Sequence, residues 1–283
     1  MRQKSFSTGI KKIVLHFLSG HDGYFFIGVK AEQFSARQRF ILVIDSPVRA
    51  CYHPLTLGAG IYAMNQPSER VTTTLVCIGM CLIWYTITQI VSALPNYAEL
   101  RRNGMLMPVL CLLEFAVLVP LYRAYCRRYR DILPGDIRTG QLLVFSLLLL
   151  GLIFSQSFYL QKETWTASQV GEGTEGMLPF VLAVVLLAPV FEEILFRGFL
   201  LQGLLTWLPK QRLACALLTS FAFAAAHTQY VHLQTLIALT LLSLLLCYAR
   251  LRSGGLKLPV FLHMLNNFIG VSPWLWLALA PPS

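Results

Sequence analysis

Glu192 and Glu193 stand side by side in a run from Leu178 to Leu205 that is otherwise close to lipid-soluble, and Arg197 follows four residues after the second. A carboxylate inside a membrane span is costly and defaults to a functional assignment. On a helix, positions i and i+4 share a face, so Glu193 and Arg197 can pair. Glu192 points roughly 100° away and has no local cation, which suits a general base. A purely structural ion pair would explain Glu193 and Arg197 but not Glu192.

Two imidazoles and an amide extend the set. His227 closes a segment in which Ala222, Ala224, Ala225 and Ala226 are small enough for backbones to approach closely. His232, five residues on, reads as a helix-end hydrogen-bonder. His263 and Asn267 are again spaced i, i+4, and together could donate to a developing oxyanion. Taken singly, each of these reads as an interhelical hydrogen bond worth about 0.6 kcal/mol. Together they supply a base, two imidazoles, an amide and an ion pair. Glu114 has no role in this reading.

The elements that must carry these groups are membrane helices. Of 283 residues, 56% are hydrophobic and 13% charged, against roughly 25% charged in soluble domains, and the mean hydropathy is +0.62. Apolar runs fit seven spans at about 72–94, 105–122, 139–160, 177–200, 213–230, 232–249 and 258–280. The expectation is an all-α, polytopic helical bundle embedded in a lipid bilayer, the inner membrane of a bacterium.

The net charge of +10 does not imply nucleic acid, because the basic residues gather in particular loops. Arg123, Arg127, Arg128, Arg130 and Arg138 place the loop after the second span in the cytosol, as Arg250, Arg252 and Lys257 do for 250–257. Glu163, Glu172 and Glu175 place the loop after the third span outside. Alternation then gives a cytosolic N-terminus, with Arg101 and Arg102 mildly against the pattern. The seven cysteines are scattered and imply no disulfide framework.

Residues 1–70 carry nine Lys/Arg against four Asp/Glu and no run long enough to span. They read as a basic cytosolic arm, with Lys11–Leu18 a short helix or strand and Phe40–Asp45 a strand. A second reading starts the chain at Met64. From 71 to 283 the chain reads as one helical membrane domain. No internal repeat supports an inverted-repeat transporter.

The ordered motifs Glu192-Glu193-x-x-x-Arg197, Phe223-x-x-x-His227 and His263-x-x-x-Asn267 resemble the CAAX protease and bacteriocin-processing (CPBP, or Abi) family of intramembrane proteases, over about 177–270. The resemblance implies an endopeptidase acting on a membrane-associated peptide or protein. Glu192 would activate water with help from His227, His263 and Asn267 would stabilise the oxyanion, and Glu193 and Arg197 would shape the site. Glu192, His227 and His263 could instead hold Zn2+ as three ligands plus water; the metal-free glutamate mechanism is preferred. The substrate is either a CAAX-type C-terminus or a bacteriocin-like peptide. The alternative is a non-catalytic immunity or partner-binding protein on the same scaffold.

One expectation tests the arrangement. At 1.5 Å per residue, level inner helix ends would put Glu192 about 12 Å, His263 about 8 Å and His227 about 21 Å above them. Convergence therefore requires the fourth span to continue, unbroken at Gly198, to about residue 206.

Overall fold

The computed structural model describes residues 13–19, 25–31, 67–129, 132–161, 163 and 176–279. The chain divides into two units, Met1–Pro54 and Leu55–Ser283. In the first, β1 (Ile13–Ser19) pairs antiparallel with β2 (Phe25–Ala31), from Ile13 opposite Ala31 to Ser19 opposite Phe25. The stretch read as helix or strand is thus strand. The strand expected over Phe40–Asp45 lies outside the described residues.

Among its described residues, the second unit is all-α. It contains α1 (Pro67–Ser92), the short α2 (Tyr97–Arg102), α3 (Leu106–Tyr129), α4 (Thr139–Gln156), α5 (Met177–Trp207), α6 (Arg212–Ala226), α7 (Leu233–Ser253) and α8 (Lys257–Leu279). Among the described residues, α1, α3, α4, α5 and α7 are long and apolar enough to cross a membrane, which makes this an integral membrane protein. α6 has 15 residues, about 22 Å of rise against a bilayer core of about 30 Å. It stops short of the expected end at 230 because the backbone turns out of helix at His227.

α5 is the central element. In its most apolar window 56% of residues are buried, against 11–39% in the other four. It packs on α1, α3, α6, α7 and α8. Phe191, Leu195, Phe196 and Phe199 form the core with Leu118 of α3 and Phe223 of α6. Outer faces such as Leu75 and Leu82 of α1 and Leu147 of α4 expose large apolar side chains, as a lipid-facing surface requires.

α5 runs unbroken through Gly198, and this brings two of the site groups level. Glu192 lies 15 residues above Trp207 and His227 15 above Arg212, about 22 Å in each case. His263 reaches the same level by a different route. A side chain at Gly198 would touch Ile132 and Leu256 at 3.5 and 3.6 Å. The turn before α8 therefore sits beside the middle of α5, about 9 Å below Glu192, and His263 lies six residues, again about 9 Å, above Lys257.

That inner turn is held by backbone. Leu256 and Lys257 N–H donate to the Leu133 and Pro134 carbonyls at 3.3 and 2.9 Å, so the two basic loops lie together. Gly254, at φ +70°, ends α7. A Cβ on Gly255 would stand 2.2 Å from Gly135 Cα and N. Gly255→Ala is expected to destabilise the protein by about 1–3 kcal/mol through overpacking, seen as a lowered unfolding midpoint in detergent.

Candidate active site

The two glutamates lie on an α-helical turn between two wider, π-helical segments of α5, Ala183–Leu187 and Ile194–Leu200. Such wide turns recur at functional sites. In the first, Ala188 N–H bonds back to Ala183 O. The next donor, for Val184 O, would be residue 189, a proline with no N–H. A neighbouring helix fills the vacancy: Asn267 Nδ2 of α8 donates to Val184 O at 2.8 Å. One amide proton of Asn267 is therefore committed to backbone. Asn267→Leu is expected to leave that carbonyl unsatisfied and to cost about 1–3 kcal/mol in unfolding experiments.

Glu193 and Arg197 pair as expected, with Nη1 to Oε1 at 2.9 Å and both side chains fully buried. Ser243 of α7 and Phe223, absent from the sequence reading of this pair, also adjoin the guanidinium. Arg197 Nη2 donates to Ser243 Oγ at 2.7 Å and to its carbonyl at 3.3 Å. The guanidinium also lies 4.6 Å over the Phe223 ring. The same ring packs on His227 at 4.5 Å and His263 at 5.8 Å between centroids. Phe223 is thus a wall shared by Arg197, His227 and His263.

Both imidazoles are held by their Nδ1 atoms. His227 Nδ1 lies 2.8 Å from Phe223 O, and a carbonyl only accepts, so Nδ1 carries the proton. His263 Nδ1 lies 2.8 Å from Glu193 Oε1, the oxygen that also takes Arg197, so it donates there too. Each neutral ring then presents a bare Nε2. Both point at Glu192 Oε2, at 4.0 Å from His227 and 3.8 Å from His263. That oxygen is buried and has no hydrogen-bond partner. The gaps exceed hydrogen-bond length and suit an intervening water.

Two cavities meet at this point. One of about 390 Å3 and one of about 240 Å3 are both lined by Glu192, His227, Met107 and Gln229. His263 and Asn267 border the smaller. The rim segment 227–232 is anchored by Glu163, which the sequence reading used only as a topology signal. Its carboxylate accepts from Val231 N–H, His232 N–H and Thr235 Oγ1 at 3.4, 3.2 and 2.7 Å.

All six residues singled out by type and spacing therefore lie in one place, with Asn267 turned partly to a structural bond. The candidate zinc ligands Glu192, His227 and His263 are neighbours. As arranged, neither they nor any other His, Cys, Asp or Glu among the described residues form a group of three able to hold a metal ion.

A glutamate and two histidines thus converge in the interior of an integral helical membrane protein. Residues 174–269 match the family described as Type II CAAX prenyl endopeptidase Rce1-like. This third of the chain is the stretch in which the motifs resemble the CAAX protease and bacteriocin-processing family, and the two comparisons agree there. A 91-residue stretch is 45% identical to an "Uncharacterized 24.3 kDa protein" of Escherichia coli, covering 32% of this chain and 42% of that one. The match therefore spans less than half of that relative. No solved structure matches.

Proposed function

We propose that this protein is an intramembrane endopeptidase that uses glutamate-activated water. The observation that carries the reading is the partnerless Glu192 oxygen, faced by two imidazole Nε2 atoms where two cavities meet. A water in that gap gives its proton to Glu192, and its oxygen adds to the peptide carbonyl carbon. The carbonyl oxygen takes the negative charge, and the second amide proton of Asn267 is the donor left for it. His263 Nε2 can receive the proton from Glu192, because Glu193 stabilises the resulting imidazolium through Nδ1. The proton then passes to the leaving amine as the C–N bond breaks. His227, locked by Phe223 O, holds the water from the other side.

With the basic loops cytosolic, the N-terminal unit is cytosolic as well, as a basic arm suited to anionic lipid. The substrate is a membrane-associated peptide or protein, either with a CAAX-type C-terminus or resembling a bacteriocin precursor.

The test is incubation of purified protein and its Glu192→Ala variant with a peptide library in detergent, with and without chelator. Cleavage that survives chelator and is lost in the variant is expected. Loss with chelator would assign a metal to Glu192, His227 and His263. Cleavage that persists in Glu192→Ala, or a cellular phenotype that does, would overturn the reading.

A further inference from the structure

The mechanism leaves one buried carboxylate unused. Glu114, in the middle of α3, is 3% exposed and lines the larger cavity with Glu192 and His227. Thr88 Oγ1 of α1 donates to its Oε1 at 3.2 Å, and Trp84 of α1 donates to it as well. Among the described residues, no Lys, Arg or His makes an ion pair with it. Two neutral donors tie α1 to α3, but they supply no counter-charge. A glutamine would tie the same helices without the expense of a carboxylate in a membrane, so helix packing does not account for a glutamate here.

The cavity walls say what would. Trp84, Tyr97, Phe191 and Phe196 surround the space with aromatic rings. A carboxylate among aromatic rings recognises an ammonium or guanidinium, by charge-assisted hydrogen bonding and by cation–π attraction. Apolar wall covers an aliphatic stem equally well. Arg101 also borders the cavity, but it is exposed at the end of α2, where solvent and salt screen its charge.

We propose that Glu114 is the specificity-determining residue of the larger cavity, receiving the basic side chain of a Lys or Arg close to the bond to be cleaved. The assignment of that bond rests on the endopeptidase reading; the binding preference does not. The test therefore reads binding and turnover separately. Fluorescent peptides with a single Lys scanned along the sequence, each paired with a norleucine analogue, are titrated against the full chain carrying Glu192→Gln. The same peptides are offered for cleavage to protein with Glu192 intact.

One lysine position is expected to bind at least roughly thirtyfold tighter than its norleucine partner, as for a buried charge pair. Glu114→Gln, which keeps the Thr88 hydrogen bond, is expected to bring the pair within a few-fold. Glu114→Asp, which keeps the charge, is expected to restore the preference. No discriminating position, or a preference that survives Glu114→Gln, overturns the proposal. Discrimination without any cleavage overturns the endopeptidase reading and leaves the basic-side-chain site standing. Cleavage with no lysine preference does the reverse.

Discussion

Arg197→Ala is expected to destabilise the protein by about 3–5 kcal/mol, the range for removing one partner of a buried ion pair. The guanidinium is fully buried, and it bonds Glu193, the Ser243 hydroxyl and the Ser243 carbonyl while lying over Phe223. Its removal leaves the Glu193 carboxylate, also fully buried, with His263 as its remaining partner. It also empties a volume bounded by α5, α6 and α7. Arg197→Lys is expected to recover part of the loss, because an ammonium carries the charge but lacks the planar fork that reaches both Glu193 and Ser243. Thermal unfolding in detergent, followed by tryptophan fluorescence, measures both. An unchanged midpoint in Arg197→Ala would mean that the pair does not hold the bundle together.

That pair was legible from spacing because i and i+4 neighbours meet on any helix. The same logic leaves Glu192 without a cation on its own helix, and its Oε2 has no hydrogen-bond partner. What spacing does not reveal is who meets a side chain from across the bundle. Ser243 is 46 residues from Arg197, and His263 is 70 from Glu193; both are partners chosen by packing. His263 therefore looked like an oxyanion donor beside Asn267, whereas its Nδ1 is spent on Glu193. Asn267 shows the same limit. Its bond to Val184 follows from Pro189 together with a widened turn, and a proline marks only the first half of that argument.

The helices show where apolar length stops being informative. The count of apolar residues carried the fifth span on to 230, although the chain turns at His227. It also gave no sign that the turn before α8 sits inside the bundle beside Gly198. Depths counted from level helix ends conflicted for that reason. The conflict disappears when α5 is extended to Trp207 and α8 begins beside Gly198.

Glu192→Gln is expected to lower turnover by a factor of roughly 10²–10⁴, the contribution of a positioned general base, while leaving the unfolding midpoint nearly unchanged. The side chain is 17% exposed at the cavities, and its Oε2 has no hydrogen-bond partner to lose. An amide of the same shape keeps the packing but cannot take a proton from water. Glu193→Gln provides the contrast. It also removes one carboxylate, but one whose oxygen holds both Arg197 and His263, so stability and activity should fall together. Activity per folded molecule, measured across both variants, separates the two roles. If Glu193→Gln proved silent in stability and Glu192→Gln retained activity, the carboxylates would have exchanged assignments, and the water would have to be placed on the Glu193 side of His263.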